Sequence, residues 1–233
     1  MDIYVLLSFL LFLLIFAGVG MASILVKKDT TDDYLVAGRG MHPALAALSA
    51  VSTWNSGFMF IGFIGFMWLY GYPAIWVSIV STLGQLVAWI WLYKRIQNEA
   101  KERNVRSLSS LVAKVKGAPE AKLAALLSVC FLLIYAAAQL SSGGKALFAM
   151  LGWDQTVGIL IGYMLVILYC TAGGIRASIW TDAAQSCVMI VGSSLLCWVA
   201  LQNVGGFSGL HQSLTSIDPD LTNFAPKNLK FGF

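Results

Sequence analysis

Charge is what this chain has least of. Asp, Glu, Lys and Arg make up 11% of its 233 residues, against about a quarter in soluble domains. Apolar residues reach 58%, and the mean hydropathy is +0.78. That balance excludes a soluble enzyme, a nucleic-acid binder and a disordered chain. The net charge of +4 is therefore read for where it sits, not as affinity for nucleic acid. Cysteine is sparse. Cys130, Cys170, Cys187 and Cys197 fall in apolar stretches without CxxC spacing, which leaves a metal site or a disulfide frame unsupported and predicts small buried hydrophobes. No HExxH, phosphate-binding glycine loop or nucleophile–base pair occurs, so the chain does not read as an enzyme. His42, at a span entrance beside Pro43, is given no chemistry.

Long uncharged runs are what the sequence does have. Ile3–Val26 holds no charge; it lacks a basic leader and a small-residue cleavage site, and reads as a retained span. Met41–Tyr93 is 53 residues without Asp, Glu, Lys or Arg. One helix of that length would run roughly 80 Å, far beyond a hydrocarbon core of about 30 Å. It must fold back, and Gly71-Tyr72-Pro73 supplies the turn. Six spans are expected, near 3–26, 43–70, 73–93, 123–144, 155–175 and 183–206, with a polar tail over 207–233 and all of 1–233 in one membrane domain. In the charged stretch Lys94–Lys122, Leu108, Leu111, Val112 and Val115 recur at helical spacing, consistent with a short helix on the membrane surface or a solvated loop.

The basic residues set an orientation. With 27–40, 94–122 and 174–182 on one side, that side holds twelve of the fifteen Lys and Arg; only Lys145, Lys227 and Lys230 lie opposite. The excess marks the cytoplasmic side, which puts the N-terminus and the tail outside.

One span is polar at its middle. The second reads Ser49-Ala50-Val51-Ser52-Thr53-Trp54-Asn55-Ser56-Gly57 at its centre. Asn and Gly are poor helix formers, and Ser and Thr hydroxyls compete for backbone carbonyls. Unwound backbone in lipid is tolerated only where it lines a cavity or is buried in protein. The pattern fits a helix broken at a binding site, where carbonyls are free for a small cation; it equally fits close helix packing through small residues. Trp54 is the one Trp at mid-membrane depth. In the fourth span Tyr135, Gln139 and Ser142 share a helical face, which suits a cavity lining or hydrogen bonds between helices. Asp182 opens the sixth span, where its carboxylate can complement the helix dipole and pair with Arg176, or flank an ion path.

Three motifs, in order, resemble the sodium:solute symporter family. Asp33-Tyr34 followed by Gly38-Arg39 is similar to its DY-x-x-x-GR signature. Ala47-Leu48-Ser49-Ala50 with Ser56-Gly57 is similar to its first core helix. Gly173-Gly174, Ala177, Trp180-Thr181-Asp182 and Gln185 follow its GG-x-x-A-x-x-WTD-x-x-Q pattern. Proline-permease-like members resemble the chain most. The resemblance implies an all-α integral membrane protein of leucine-transporter-like fold: one extra N-terminal helix plus the first five-helix repeat. It implies Na+ as the coupling ion, held by backbone carbonyls of Ser52 and Asn55 and by Ser56. It places Gly57 beside that serine and Asp182 on the inner ion path; Trp54 and Gly57, with the shared face of Tyr135, Gln139 and Ser142, are the candidate solute contacts. The partners implied are a small organic solute, such as proline or another amino acid, and the lipid bilayer of the plasma (inner) membrane, with no nucleic acid. Trp54 departs from the pattern, since proline permeases carry aspartate there.

Members of the family run to roughly twice this length, so the second inverted repeat is expected to be missing and to be supplied in cis or in trans, because half of an inverted repeat cannot alternate access alone. The other readings are a transporter-like membrane sensor or scaffold domain, and an inactive half-transporter.

Overall fold

The computed structural model describes residues 3–115 and 117–225. Lys116, Lys227 and Lys230, which entered the charge count, lie outside the described residues, as does the tail beyond Ala225. All regular structure among the described residues is helical. In chain order the helices are α1 (Ile3–Ala22), α2 (Thr31–Val36), α3 (Pro43–Trp54), α4 (Phe63–Tyr70), α5 (Ile75–Val87), α6 (Lys94–Glu102), α7 (Leu108–Val112), α8 (Pro119–Leu151), α9 (Gln155–Asn203) and α10 (Gly206–Ile217). Shorter 3-10 and π turns join several of them.

Four stretches are long and apolar enough to cross a bilayer: Ile3–Val26, Tyr72–Glu102, Pro119–Leu151 and Gln155–Asn203. Pro43–Trp54 and Phe58–Tyr70 qualify only as a broken pair. In their apolar middles successive large side chains are exposed on every side; consecutive Leu132, Leu133 and Ile134 of α8 are 64%, 66% and 67% exposed. Such surface is untenable in water and ordinary in lipid. The four cysteines differ from expectation: three are exposed and Cys170 is half-buried, because these spans turn their apolar residues outward as well as inward.

The chain divides into two compact units. One comprises residues up to Phe58 together with Glu99–Met189. In it, Gly20 of α1 lies against the side chains of Tyr169 and Thr181 of α9, and Ser23, fully buried, donates to the Gly20 carbonyl at 2.7 Å. The stretch 175–182, expected as a loop, is helical. The turn is concentrated at Gly174, whose φ of 60° and ψ of −148° divide α9 into two helices that meet at a kink. A side chain there is excluded twice over: that backbone conformation is almost confined to glycine, and a Cβ would stand 2.5 Å from the Tyr34 carbonyl oxygen.

Asp33 explains why α2 sits beside this turn. Thr30 caps α2 by accepting from the Asp33 N–H at 3.1 Å. The Asp33 carboxylate, almost fully buried, accepts from the Lys28 N–H at 2.8 Å and from the Arg176 guanidinium. Arg176 also donates to the Ala37 carbonyl at 3.2 Å, and Tyr34 donates its hydroxyl to the Cys170 carbonyl at 3.3 Å. Arg39 reaches the Val105 carbonyl at 2.9 Å, and Arg106 pairs with Asp32, so the long charged segment is tied to α2. Within that segment Arg103 closes a compact loop on the carbonyls of Leu111 and Ala113. Helix α7 forms where a short helix was expected; Leu108, Val112 and Val115 are exposed.

The second unit comprises Met59–Asn98 with residues from Ile190 onward. Its turn at Gly71-Tyr72-Pro73 is the expected one, with Pro73 in the first turn of the following helix. The segment after α9 packs on it: the Tyr72 ring lies 6.0 Å from His211 and 5.2 Å from Phe224, and the Trp76 indole donates to the Phe224 carbonyl at 2.8 Å. The stretch expected as a polar tail therefore holds α10 and a docked 3-10 turn, Pro219–Thr222. Arg95 lies 4.8 Å over the Trp91 ring.

The Arg176 guanidinium first, and the Lys28 N–H second, hold the Asp33 carboxyl below its ordinary value of 3.8. Its contribution to stability is then full above that value and lost as pH falls through the lower folded one. Asp33→Asn is expected to lower the thermal midpoint of the intact protein in detergent at neutral pH. The difference from the parent shrinks below about pH 4; a pH-independent difference would show that the charge is not what matters.

Candidate functional site

The site is the break that follows α3, over residues of the first unit. Helix α3 begins at Pro43, with His42 accepting from the Ala44 N–H at 3.2 Å, and it ends at Trp54. Asn55 follows with φ −78° and ψ 72°, outside helical geometry, and a π-helical turn, Phe58–Gly62, leads into α4. The Asn55 N–H and its side-chain amide both go to the Val51 carbonyl, at 3.1 and 3.0 Å. The Ser56 N–H turns back to the Trp54 carbonyl at 2.9 Å. The Gly57 N–H leaves its own helix and donates to the Gln139 side-chain oxygen on α8 at 2.7 Å.

The consequence lies in the acceptors. In a continuous helix the Ser56 and Gly57 N–H groups would serve the carbonyls of Ser52 and Thr53. Both donors are committed elsewhere, so those two carbonyls lose their regular partners. Backbone oxygens released in this way are the ligands a small hard cation takes. The expectation of regular winding lost midway along the second span is met.

Two neighbouring helices hold the broken one. On α8, Gln139 and Ser142 meet Gly57; a Cβ there would lie 2.7 Å from the Ser142 hydroxyl and 3.2 Å from the Gln139 oxygen, and closer still to the Ser142 Cβ. Tyr135, on the same face, is half exposed, and the contacts that gather Gln139 and Ser142 at Gly57 do not include it. On α9, Asp182 accepts from the Ser49 hydroxyl at 2.8 Å, and the fully buried Ser186 donates to the Leu48 carbonyl at 2.5 Å. The expected pairing of Asp182 with Arg176 is not formed: Arg176 is taken by Asp33, and Asp182 turns to α3. Trp54 ends α3 and is 47% exposed; Ser52, Asn55 and Ser56 are partly buried at the break.

Sequence reasoning missed Ser49, Ser186 and Thr53. The first two were legible as a possibility, since Asp182 and Ser186 are spaced i, i+4 and share a face. Thr53 carried no signal, because its carbonyl is freed by a side chain 86 residues away in sequence.

The fold and this break define a multi-pass α-helical membrane protein with an interrupted helix of the kind secondary transporters use at ion sites. A profile of the sodium:solute symporter family matches residues 34–231, and the chain belongs to that family. Among curated relatives, it is 29% identical to the high-affinity proline transporter PutP of Bacillus subtilis (strain 168) over 202 residues, 84% of this chain and 42% of that one. It is 29% identical to the osmoregulated proline transporter OpuE of the same organism over 208 residues, 83% of this chain and 41% of that one. It is 30% identical to the sodium/proline symporter of Escherichia coli (strain K12) over 182 residues, 76% of this chain and 36% of that one. By name these relatives are transporters, not enzymes. The chain spans about two fifths of the length of the curated relatives it matches. No solved structure is a significant match.

The close fit at Gly57 gives a direct test. Gly57→Ala is expected to lower the stability of the intact protein by about 1–3 kcal/mol through overpacking against Ser142. Ser142→Gly in the same chain should recover most of that loss, a coupling read by a double-mutant cycle of thermal midpoints. Strict additivity would place the strain elsewhere.

Proposed function

We propose that this chain forms the N-terminal part of a Na+-coupled secondary symporter for a small organic solute, with proline or another amino acid as the first substrate to test. The observation that carries the reading is the interruption after Trp54, which takes the regular donors from two mid-span carbonyls. Family membership and the names of the relatives support Na+ and an amino-acid solute.

In this reading the chain crosses the plasma (inner) membrane six times, N-terminus outside. It follows a leucine-transporter-like plan of one extra helix and one five-helix repeat, completed by the remaining length that its relatives possess. Na+ enters from outside and binds at the break through the Ser52 and Asn55 carbonyls and the Ser56 hydroxyl. The solute lies beside it against Trp54 and Gly57, with Tyr135 and Ser142 on the facing helix, where the Gln139 oxygen is engaged by the Gly57 N–H. Asp182 draws the ion toward the inner exit. Bound Na+ favours the outward-open arrangement and raises solute affinity, and by linkage the solute raises Na+ affinity equally. Trp54 in place of a carboxylate leaves cation binding to backbone and hydroxyl oxygens, which suits a weakly held, releasable ion.

Uptake by the intact protein in vesicles, driven by Na+, Li+ or H+ gradients, tests this. A Na+ gradient should drive uptake of the right solute. Ser56→Ala and Asp182→Asn should each raise the half-saturating Na+ concentration by about tenfold, the worth of one charge-assisted hydrogen bond or ligand. Unchanged Na+ dependence in both variants would remove the assignment.

A further inference from the structure

We infer that Gln139 is a positioning residue for the cation, not a solute ligand, and that it brings the Thr53 carbonyl into the ion site. The inference rests on the proposed Na+ site at the break and goes further by naming what holds that site open.

Gly57 is the first residue of the second half-helix, and its N–H is one of the donors that a helix start leaves without an intrahelical partner. Two acceptors compete for it. One is the Thr53 carbonyl, four residues back, which would rewind the helix. The other is the Gln139 side-chain oxygen, which takes it at 2.7 Å. Away from water an unclaimed amide is strongly unfavourable, so without Gln139 the N–H returns to Thr53. The rewound chain would cover the Thr53 carbonyl and draw Ser56 toward Ser52, covering that one too. The α8 side chain is thus the alternative partner that makes the unwound state tolerable.

Three features make Gln139 suited to this task. Its side chain spans the gap between two helices while staying neutral. Its neighbour one turn on, Ser142, closes on Gly57 where any Cβ would stand, so the two backbones approach closely. The Ser142 hydroxyl donates to the Ala138 carbonyl at 2.9 Å on its own helix, and the Gly57 N–H takes Gln139 as its acceptor across the gap. The Gln139 oxygen is turned to the backbone of the broken helix, where it holds the Gly57 N–H.

The experiment compares Gln139→Leu, Gln139→Glu and the parent in the intact protein. It measures the half-saturating Na+ for uptake, the solute KM at saturating Na+, and the rise in thermal midpoint that Na+ alone produces in detergent. Gln139→Leu should raise half-saturating Na+ by about tenfold and abolish most of the Na+-induced stabilisation. Gln139→Glu keeps an acceptor at the same reach and should hold Na+ no more weakly than the parent. Solute KM at saturating Na+ should change little in either. If Gln139→Leu retains the parent's Na+ response, or if solute KM alone shifts, the positioning role is wrong. Should Gln139→Leu fail to insert, Gln139→Asn takes its place, since it keeps the amide but falls short of Gly57; a parent-like Na+ response there is equally fatal. A parent protein with no Na+ response at all would overturn the ion site itself, an outcome separate from these.

Discussion

A helix that stops inside a bilayer must find partners for the backbone groups it releases, and here one released donor finds its partner in a side chain of another helix. The Gly57 N–H is satisfied from α8, at 2.7 Å, by Gln139. The acceptor side is not met in the same way. Val51 receives two bonds from Asn55 and Trp54 receives one from Ser56, while the donors that Ser52 and Thr53 would have had are gone. In hydrocarbon that asymmetry is unfavourable unless a ligand completes it. A monovalent cation does so with charge, and a water does so without selectivity. Everything proposed about ion coupling depends on the Ser56 and Gly57 donors being taken elsewhere while the Ser52 and Thr53 acceptors are left over.

The other motifs surround this stretch. Residues far apart in sequence meet in pairs: Asp33 with Arg176, Tyr34 with the Gly174 turn, Ser49 with Asp182, Leu48 with Ser186. The DY-x-x-x-GR signature acquires a physical content from these contacts. Asp33 binds the guanidinium that follows the glycine turn, Tyr34 covers that turn, and Arg39 ties the charged segment to α2. The GG-x-x-A-x-x-WTD pattern supplies the other half of each contact. The two motifs are one structural feature written in two places.

Much of this was legible from residues alone, and the reasons differ. The uncharged runs and the Gly71-Tyr72-Pro73 turn are local signals, and a bilayer's thickness converts them directly into helices and a fold-back. The polar centre of the second span was readable as either packing or a break, because propensity cannot say where a released N–H goes. Resolving it needs Gln139, whose face was visible but whose partner was not. The stretch from Ile175 to Asp182 misled for the opposite reason. A positive charge and a glycine pair resemble a loop, yet Gly174 makes the turn in one residue and Arg176 is neutralised within the fold by Asp33. Assigning Arg176 to Asp182 followed from nearness in sequence, which on a helix counts for less than what the facing element offers.

The stretch from Ser49 to Gly57 is held at both ends by different helices. At one end α9 grips α3 through Ser49 and Leu48; at the other α8 grips Gly57. Between these grips the residues at the break, Asn55-Ser56-Gly57, are poor at sustaining a helix by themselves. The position of the released carbonyls is therefore set by the spacing of two external contacts more than by local propensity. A site built so is sensitive to small movements of α8 or α9, since shifting either grip changes how far the segment is unwound. That sensitivity is what the proposed ion coupling requires: binding energy at the break would be exchanged for displacement of the helices that hold it, and their displacement would release the ion.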